Sequence, residues 1–304
     1  MTNKCHVYQV DVFTRTPMEG NAAGVVPQGD SLSSRQMQAI ARELNNSETA
    51  FLLRPDADDH DVRIRYFTPT MEVPTCGHAT IAAHYVRAHS HNLAADRYWH
   101  KIGIGRLPVD IKRENSDYRI IMTQGPPEID PPLSTNKGKA VLDALNIGVG
   151  DTVRDFPIAK VDTGASKIIV GVKSRDILND VAPQYDRLRS LGLSLNCTGF
   201  FVFTLAEPDP DVFSHCRMFA PQTGIPEDPV TGNGNGPLGA YLTNFNLIDN
   251  SGPTVYFRSR QGESMGRPGT AHVWVDLSDG QAKTIRVGGD AVIAFEAELT
   301  IQVK

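Results

Sequence analysis

The chain contains the same pattern twice. Arg65-x-Phe67-x-Pro69 returns as Arg217-x-Phe219-x-Pro221, 152 residues later. That spacing also carries Pro74 onto Pro226 and Cys76 onto Asp228, with a short run of small and apolar residues after each: Ala79–Val86 and Pro237–Leu242. Upstream, Thr49-Ala50-Phe51 is matched by Thr198-Gly199-Phe200 at a spacing of 149, which carries Glu48 onto Cys197. A difference of three residues between the two blocks is an ordinary loop insertion. Two blocks in the same order point to duplication of one unit, and 304 residues suffice for two units that each bury a core. Paired similar domains commonly hold small molecules in the cleft between them.

Apolar runs of strand length dominate the pattern. Val7–Val12, Ala50–Leu53, Val62–Phe67, Lys167–Val172, Phe200–Leu205, Val255–Arg258 and His272–Leu277 are rich in Val, Ile and aromatics, and many end at Gly, Pro or Asp. Helical patterns are fewer. Ser33 with Gln36 reads as a capping box, after which Met37, Ile40, Ala41 and Leu44 share a face. Val141, Leu142 and Leu145 begin another helical pattern after the proline cluster at 126–132. The expected class is α+β. The expected domains are 1–128 and 129–290, with 291–304 returning to the first as a strand.

The net charge of −5 and the pI near 6.0 give no electrostatic footprint for nucleic acid or for an anionic membrane. No stretch approaches the roughly 18 apolar residues of a membrane span. The N-terminus runs directly into a strand pattern rather than a signal peptide. Cys5, Cys76, Cys197 and Cys216 show neither disulfide nor metal spacing, which fits a cytoplasmic protein. Cys76-x-His78 lacks a second ligand pair in sequence, so no metal is expected. His84 reads as structural, Cys197 as a core residue, and His89, His91 and His100 as solvated.

Two glycine-flanked segments stand at comparable points in the two halves: Pro74-Thr75-Cys76-Gly77-His78-Ala79-Thr80, and Asp228-Pro229-Val230-Thr231-Gly232-Asn233-Gly234-Asn235-Gly236. Each reads as a loop entering the N-terminus of a small-residue helix, where unpaired N–H groups favour an anion such as a carboxylate. Neither segment is a Walker loop or a dinucleotide fingerprint.

Taken in order, Val10-Asp11-Val12-Phe13-Thr14, Gly20-Asn21-Ala22-Ala23-Gly24, Ser47-Glu48-Thr49-Ala50-Phe51, Arg65-Tyr66-Phe67-Thr68-Pro69, Cys76-Gly77-His78-Ala79-Thr80 and Glu227-Asp228-Pro229-Val230-Thr231-Gly232 resemble the PhzF-like phenazine-biosynthesis isomerase family, of the diaminopimelate-epimerase-like fold. The second glycine loop is most similar to that of YddE-type members. The resemblance covers nearly the whole chain. It implies two pseudo-symmetric domains, each a β-barrel-like sheet wrapped around a central helix. It also implies no metal, nucleotide or pyridoxal cofactor, and often a homodimer.

The resemblance further implies a glutamate, here Glu48, that shuttles a proton, with His78 and Asp228 as the other polar site positions. Asn21, Cys76, Gly77, Thr231, Gly232 and Asn233 are the expected substrate-binding residues. The phenazine enzyme has a serine where this chain has Asn233, which separates the proton-transfer role of Glu48 from the phenazine substrate. Diaminopimelate epimerases use one cysteine per domain, and Cys76 has no cysteine counterpart here. The expected activity is therefore isomerisation of a small carboxylate by general acid/base catalysis at the interdomain cleft. Two alternatives stay open. One is a hydrolase or lyase in the same cleft, although no Gly-x-Ser-x-Gly elbow is present. The other is a carboxylate-binding protein that kept the fold.

Overall fold

The computed structural model of the protein describes residues 2–114, 116–205, 209 and 211–302. The chain divides into two compact units, Met1–Thr123 with Gly288–Lys304, and Gln124–Val287. In the first unit, strand Thr2–Val12 runs antiparallel to Ala291–Gln302 and to Asn21–Val26. From Asn21–Val26 the ladder continues parallel to Thr49–Leu53, antiparallel to Val62–Phe67, parallel to Arg97–Ile102 and antiparallel to Gly105–Glu114. In the second unit, Ala159–Asp162 runs antiparallel to Lys167–Gly171. The ladder then continues parallel to Gly199–Thr204, antiparallel to Ser214–Ala220, parallel to Thr254–Gln261 and antiparallel to Gly269–Ser278. The same sequence of strand senses in both units is the duplication expressed as topology.

Six helices complete the described residues: α1 (Ser34–Leu44), α2 (Gly77–His91), α3 (Thr135–Leu145), α4 (Arg175–Asp180), α5 (Tyr185–Ser194) and α6 (Gly232–Asn244). The capping box of α1 forms as its sequence requires, Ser33 accepting from Gln36 N and Gln36 Oε1 accepting from Ser33 N. Met37, Ile40 and Ala41 are buried and Leu44 packs against the same core. Helices α2 and α6 are central to their units. Ten of the 15 residues of α2 and 11 of the 13 of α6 are buried, so neither helix has a solvated face. Helix α2 lies against strands Thr2–Val12, Asn21–Val26, Thr49–Leu53, Asp117–Thr123 and Ala291–Gln302; α6 lies against Ala159–Asp162, Lys167–Gly171 and Gly269–Ser278.

Backbone pairing changes the register of the repeat. Arg65 lies opposite Phe51 and Phe67 opposite Thr49, whereas Arg217 lies opposite Val202 and Phe219 opposite Phe200. Asn45 and Asn196, 151 residues apart, both take positive φ at the exits of α1 and α5. Glu48 therefore corresponds to Gly199 and Ser47 to Thr198, two residues from the match that the Thr-x-Phe similarity suggests. A two-residue slip keeps every side chain on its own face of the sheet, so the hydrophobic pattern does not reveal it. At the helix starts, Tyr66 lies opposite Val73 and Met218 opposite Asp228. The N-caps Cys76 and Thr231 are then equivalent, and Asp228 matches Val73 rather than Cys76.

One histidine departs from expectation. His100 is buried rather than solvated, because strand Arg97–Ile102 turns it inward against α2, where its Nδ1 lies 3.1 Å from Nε2 of the equally buried His84. Desolvation pushes both rings toward the neutral form, His84 further through His100 and Arg87, and His100 to about 4.

The buried imidazoles set a pH dependence. An unfolded histidine titrates near 6.5, so on acidification below that value the unfolded chain takes up protons that the native chain refuses. Stability that is full above pH 6.5 should fall steadily toward pH 4, and His100→Gln should flatten that dependence in urea unfolding. A separate expectation concerns Arg217, which is buried and bonds both oxygens of Glu227 at 2.8 and 2.9 Å and the carbonyls of Leu178, Asn179 and Val181. Its repeat partner Arg65 makes the same fork to Glu72 in the open. Arg217→Ala should cost about 3–5 kcal/mol by urea denaturation and Arg65→Ala about 1 kcal/mol or less.

Candidate active site

Each unit carries one polar cluster at the N-terminus of its central helix. In the first unit, Glu48 stands just before strand Thr49–Leu53, and its backbone carbonyl accepts from Gly24 N at 3.2 Å. Cys76 is the N-cap of α2, with Gly77 and His78 in the first turn. The His78 ring lies between three groups. Its Nδ1 is 3.6 Å from Cys76 Sγ, and its Nε2 is 3.2 Å from Ser47 Oγ and 3.5 Å from Glu48 Oε2. Glu48 is mostly buried, and its Oε2 accepts no hydrogen bond. Thr80, one turn on, bonds the Cys76 carbonyl and the Tyr66 hydroxyl, fixing the helix start from beneath. Asn21 is buried at the head of the strand that carries Gly24.

No spacing rule groups Glu48 with Cys76 and His78, which lie some thirty residues away; the fold gathers all three. Their ligand atoms lie within 4.8 Å of one another, a set that can hold a metal ion. The imidazole, however, turns one nitrogen to the thiol and the other to the carboxylate, and an ion would have to take one of these contacts. As arranged, the cluster suits proton handling: a bare carboxylate oxygen beside an imidazole whose tautomer its neighbours select.

In the second unit, Asp228 and Thr231 are buried and joined by a hydrogen bond from Thr231 Oγ1 to Asp228 Oδ2. Sequence reasoning missed the residue that holds this turn, because it arrives from a distant strand. Gln261, at the end of Thr254–Gln261, donates to the Asp228 carbonyl at 2.8 Å and accepts from Thr231 N and from Asn235 Nδ2, each at 3.1 Å. Gln124 was missed for the same reason. Its Nε2 donates to the Gly232 carbonyl at 3.0 Å and to Asn233 Oδ1 at 3.3 Å, while its Oε1 accepts from Thr163 at 2.7 Å. A Cβ on Gly236 would fall 1.9 Å from that Oε1, so only glycine admits the amide so close to α6.

The cysteines divide as their surroundings dictate. Burial raises the thiols of Cys197, to about 11, and Cys216, to about 12, and keeps both protonated. Only Cys76 sits in a site cluster.

Comparison with known proteins agrees with this picture. The profile of the phenazine biosynthesis-like proteins matches residues 10–297. An uncharacterized isomerase of Clostridium acetobutylicum is 46% identical over 99% of this chain and 100% of its own. The uncharacterized isomerase YddE of Escherichia coli is 44% identical, covering 98% of this chain and 99% of its own. A trans-2,3-dihydro-3-hydroxyanthranilate isomerase of Pseudomonas fluorescens is 30% identical, covering 93% of this chain and 95% of its own. Among solved structures, a phenazine biosynthesis protein of the PhzF family from Bacillus anthracis superposes with a TM-score of 0.88 at 29% identity, covering 98% of this chain and all of that one. The chain belongs to the phenazine biosynthesis-like protein family, among relatives named as isomerases. No helix of the described residues is long and apolar enough to cross a membrane.

The Gln261 network makes a checkable prediction. Gln261→Leu keeps the volume but leaves the Asp228 carbonyl and the Thr231 N–H without their buried partners. The loss should be on the order of 3 kcal/mol in chemical denaturation, and Gln261→Glu should not restore it, because a carboxylate cannot donate to the Asp228 carbonyl.

Proposed function

We propose that this protein is an isomerase that moves a proton between carbons of a small carboxylate without a bound cofactor, with Glu48 as the group that takes and returns the proton. The observation that carries the reading is the Oε2 of Glu48, buried and without a hydrogen bond beside His78. A carboxylate bonded to several N–H groups has its lone pairs committed; this one keeps an oxygen open to a carbon-bound proton. His78, in contact with Ser47, Cys76 and Glu48, orients that oxygen and polarises the substrate. Asp228, held by Thr231 and Gln261, is the second polar group, and the N–H groups at the starts of α2 and α6 favour the substrate's negative charge.

The isomerase names of the relatives support the reaction class, and the Pseudomonas fluorescens relative supplies a first substrate to try. Asn233 replaces the serine of the phenazine enzyme, so the substrate here carries a different group at that point.

The test is proton NMR in deuterated buffer with trans-2,3-dihydro-3-hydroxyanthranilate and a panel of other small unsaturated carboxylates. The wild type should place deuterium at carbon in at least one of them, and Glu48→Gln should lower that rate by about 100- to 10,000-fold while the ligand still binds. A ligand that binds tightly and never exchanges would favour a binding protein instead.

A further inference from the structure

The corrected register exposes an exchange of side chains between the units. In the first, Ala23 lies opposite Val10 and in the second, Lys167 lies opposite Val161; Gly20 and Gly164, both at positive φ, precede them by the same three residues. Ala23 therefore corresponds to Lys167, as Glu48 corresponds to Gly199. The first unit has a small residue on one strand and a carboxylate at the head of the next. The second has a long cation on the one strand and no side chain at the head of the next. A Cβ at Gly199 would fall 3.1 Å from Lys167 Cδ, so the lysine stem runs beside the place that a side chain equivalent to Glu48 would leave from.

The ammonium group is buried, with Lys167 2% exposed. It donates to Thr198 Oγ1 at 2.7 Å and to the Ala165 carbonyl at 3.1 Å; Thr198 is the counterpart of Ser47, which borders Glu48 and His78. Among the described residues no carboxylate lies within ion-pair distance of it. A buried charge without an ionic partner is costly, and proteins seldom keep one unless an anion completes it. The charged and titratable groups facing it are Cys197 before strand Gly199–Thr204, Asp162 on strand Ala159–Asp162, and Asp228 at the end of strand Ile225–Asp228. Asp228 belongs to the polar cluster described above. Desolvation outweighs these neighbours and brings the ammonium down to about 8.

We infer that Lys167 is the specificity-determining cation of the second unit, selecting ligands whose carboxylate completes its charge, in the position where the first unit presents the proton-transferring carboxylate. The inference rests on the proposed reading in that the substrate is a carboxylate; it does not depend on proton transfer. The loop 164–166 then acts as a bracket for the cation. Its Ala165 carbonyl and the neighbouring Thr198 hydroxyl hold the ammonium in place while leaving one of its three N–H bonds for the ligand.

The test uses two matched probes, 3-hydroxyanthranilate and its carboxamide, with binding followed by calorimetry. The wild type should prefer the carboxylate at least tenfold. Lys167→Met should abolish that preference by weakening the carboxylate alone, with the amide changed less than threefold. Because a buried substitution can disturb folding, the wild type supplies a second readout: carboxylate affinity should fall as pH rises through about 8, where the free ammonium loses its proton, while amide affinity stays level. Equal binding of both probes, absence of carboxylate binding, or a carboxylate preference that survives in Lys167→Met would each overturn the inference. Glu48→Gln separates the two proposals, since it should lose deuterium exchange and keep the carboxylate preference. A Glu48→Gln protein that still exchanges would sink the proton-transfer reading and leave Lys167's role standing.

Discussion

A helix with no polar face is stable in water only when other elements enclose it, and both central helices are of this kind. The sequences of α2 and α6 are built largely from Gly, Ala, Thr, Val and Leu, small enough for strands to close around them. That enclosure fixes much else. It demands a strongly curved sheet in each unit, it brings the N-terminus of each helix to the heads of the neighbouring strands, and it buries whatever side chains stand there. Glu48 and His78 are neighbours because a strand head and a helix start must meet when the one wraps the other.

Burial of the helix starts also explains the polar supports beneath them. Each start places backbone groups and a cap residue out of water, and each must be satisfied. The first unit uses Thr80 and Tyr66 for this. The second uses Gln261, Asn235 and Gln124, with Gly236 admitting the last. Duplication supplied a common backbone, and the two copies then found different side chains for the same obligation. The chemistry diverged in the same way, with an unbonded carboxylate in one copy and a buried ammonium in the other.

The two arginines of the repeated Arg-x-Phe-x-Pro motif show how context decides the weight of a shared feature. Both fork onto a glutamate, and both lie over the phenylalanine two residues on. Arg65 does so half in solvent. Arg217 also gathers three carbonyls from the end of α4 and the residue beyond it, and so ties that short helix to the sheet.

Much of this protein is legible in its residues taken in order. The spacing of Arg65 and Arg217 revealed the duplication, Ser33 and Gln36 marked the start of α1, and alternating apolar residues located strands within a residue or two. The motifs around Glu48, Cys76, His78 and Asp228 were enough to name the family. These features are local, governed by a few neighbouring residues, and survive as patterns. Tertiary structure alone decided the rest. It placed Glu48 against Gly199 rather than Cys197, since strand register depends on partners far along the chain and a two-residue slip leaves the hydrophobic pattern intact. It also turned His100 inward, brought Gln261 under Asp228, and set Lys167 in the place of a missing acidic side chain. Each of these is a contact between segments that the sequence keeps apart, and no local periodicity encodes such a meeting.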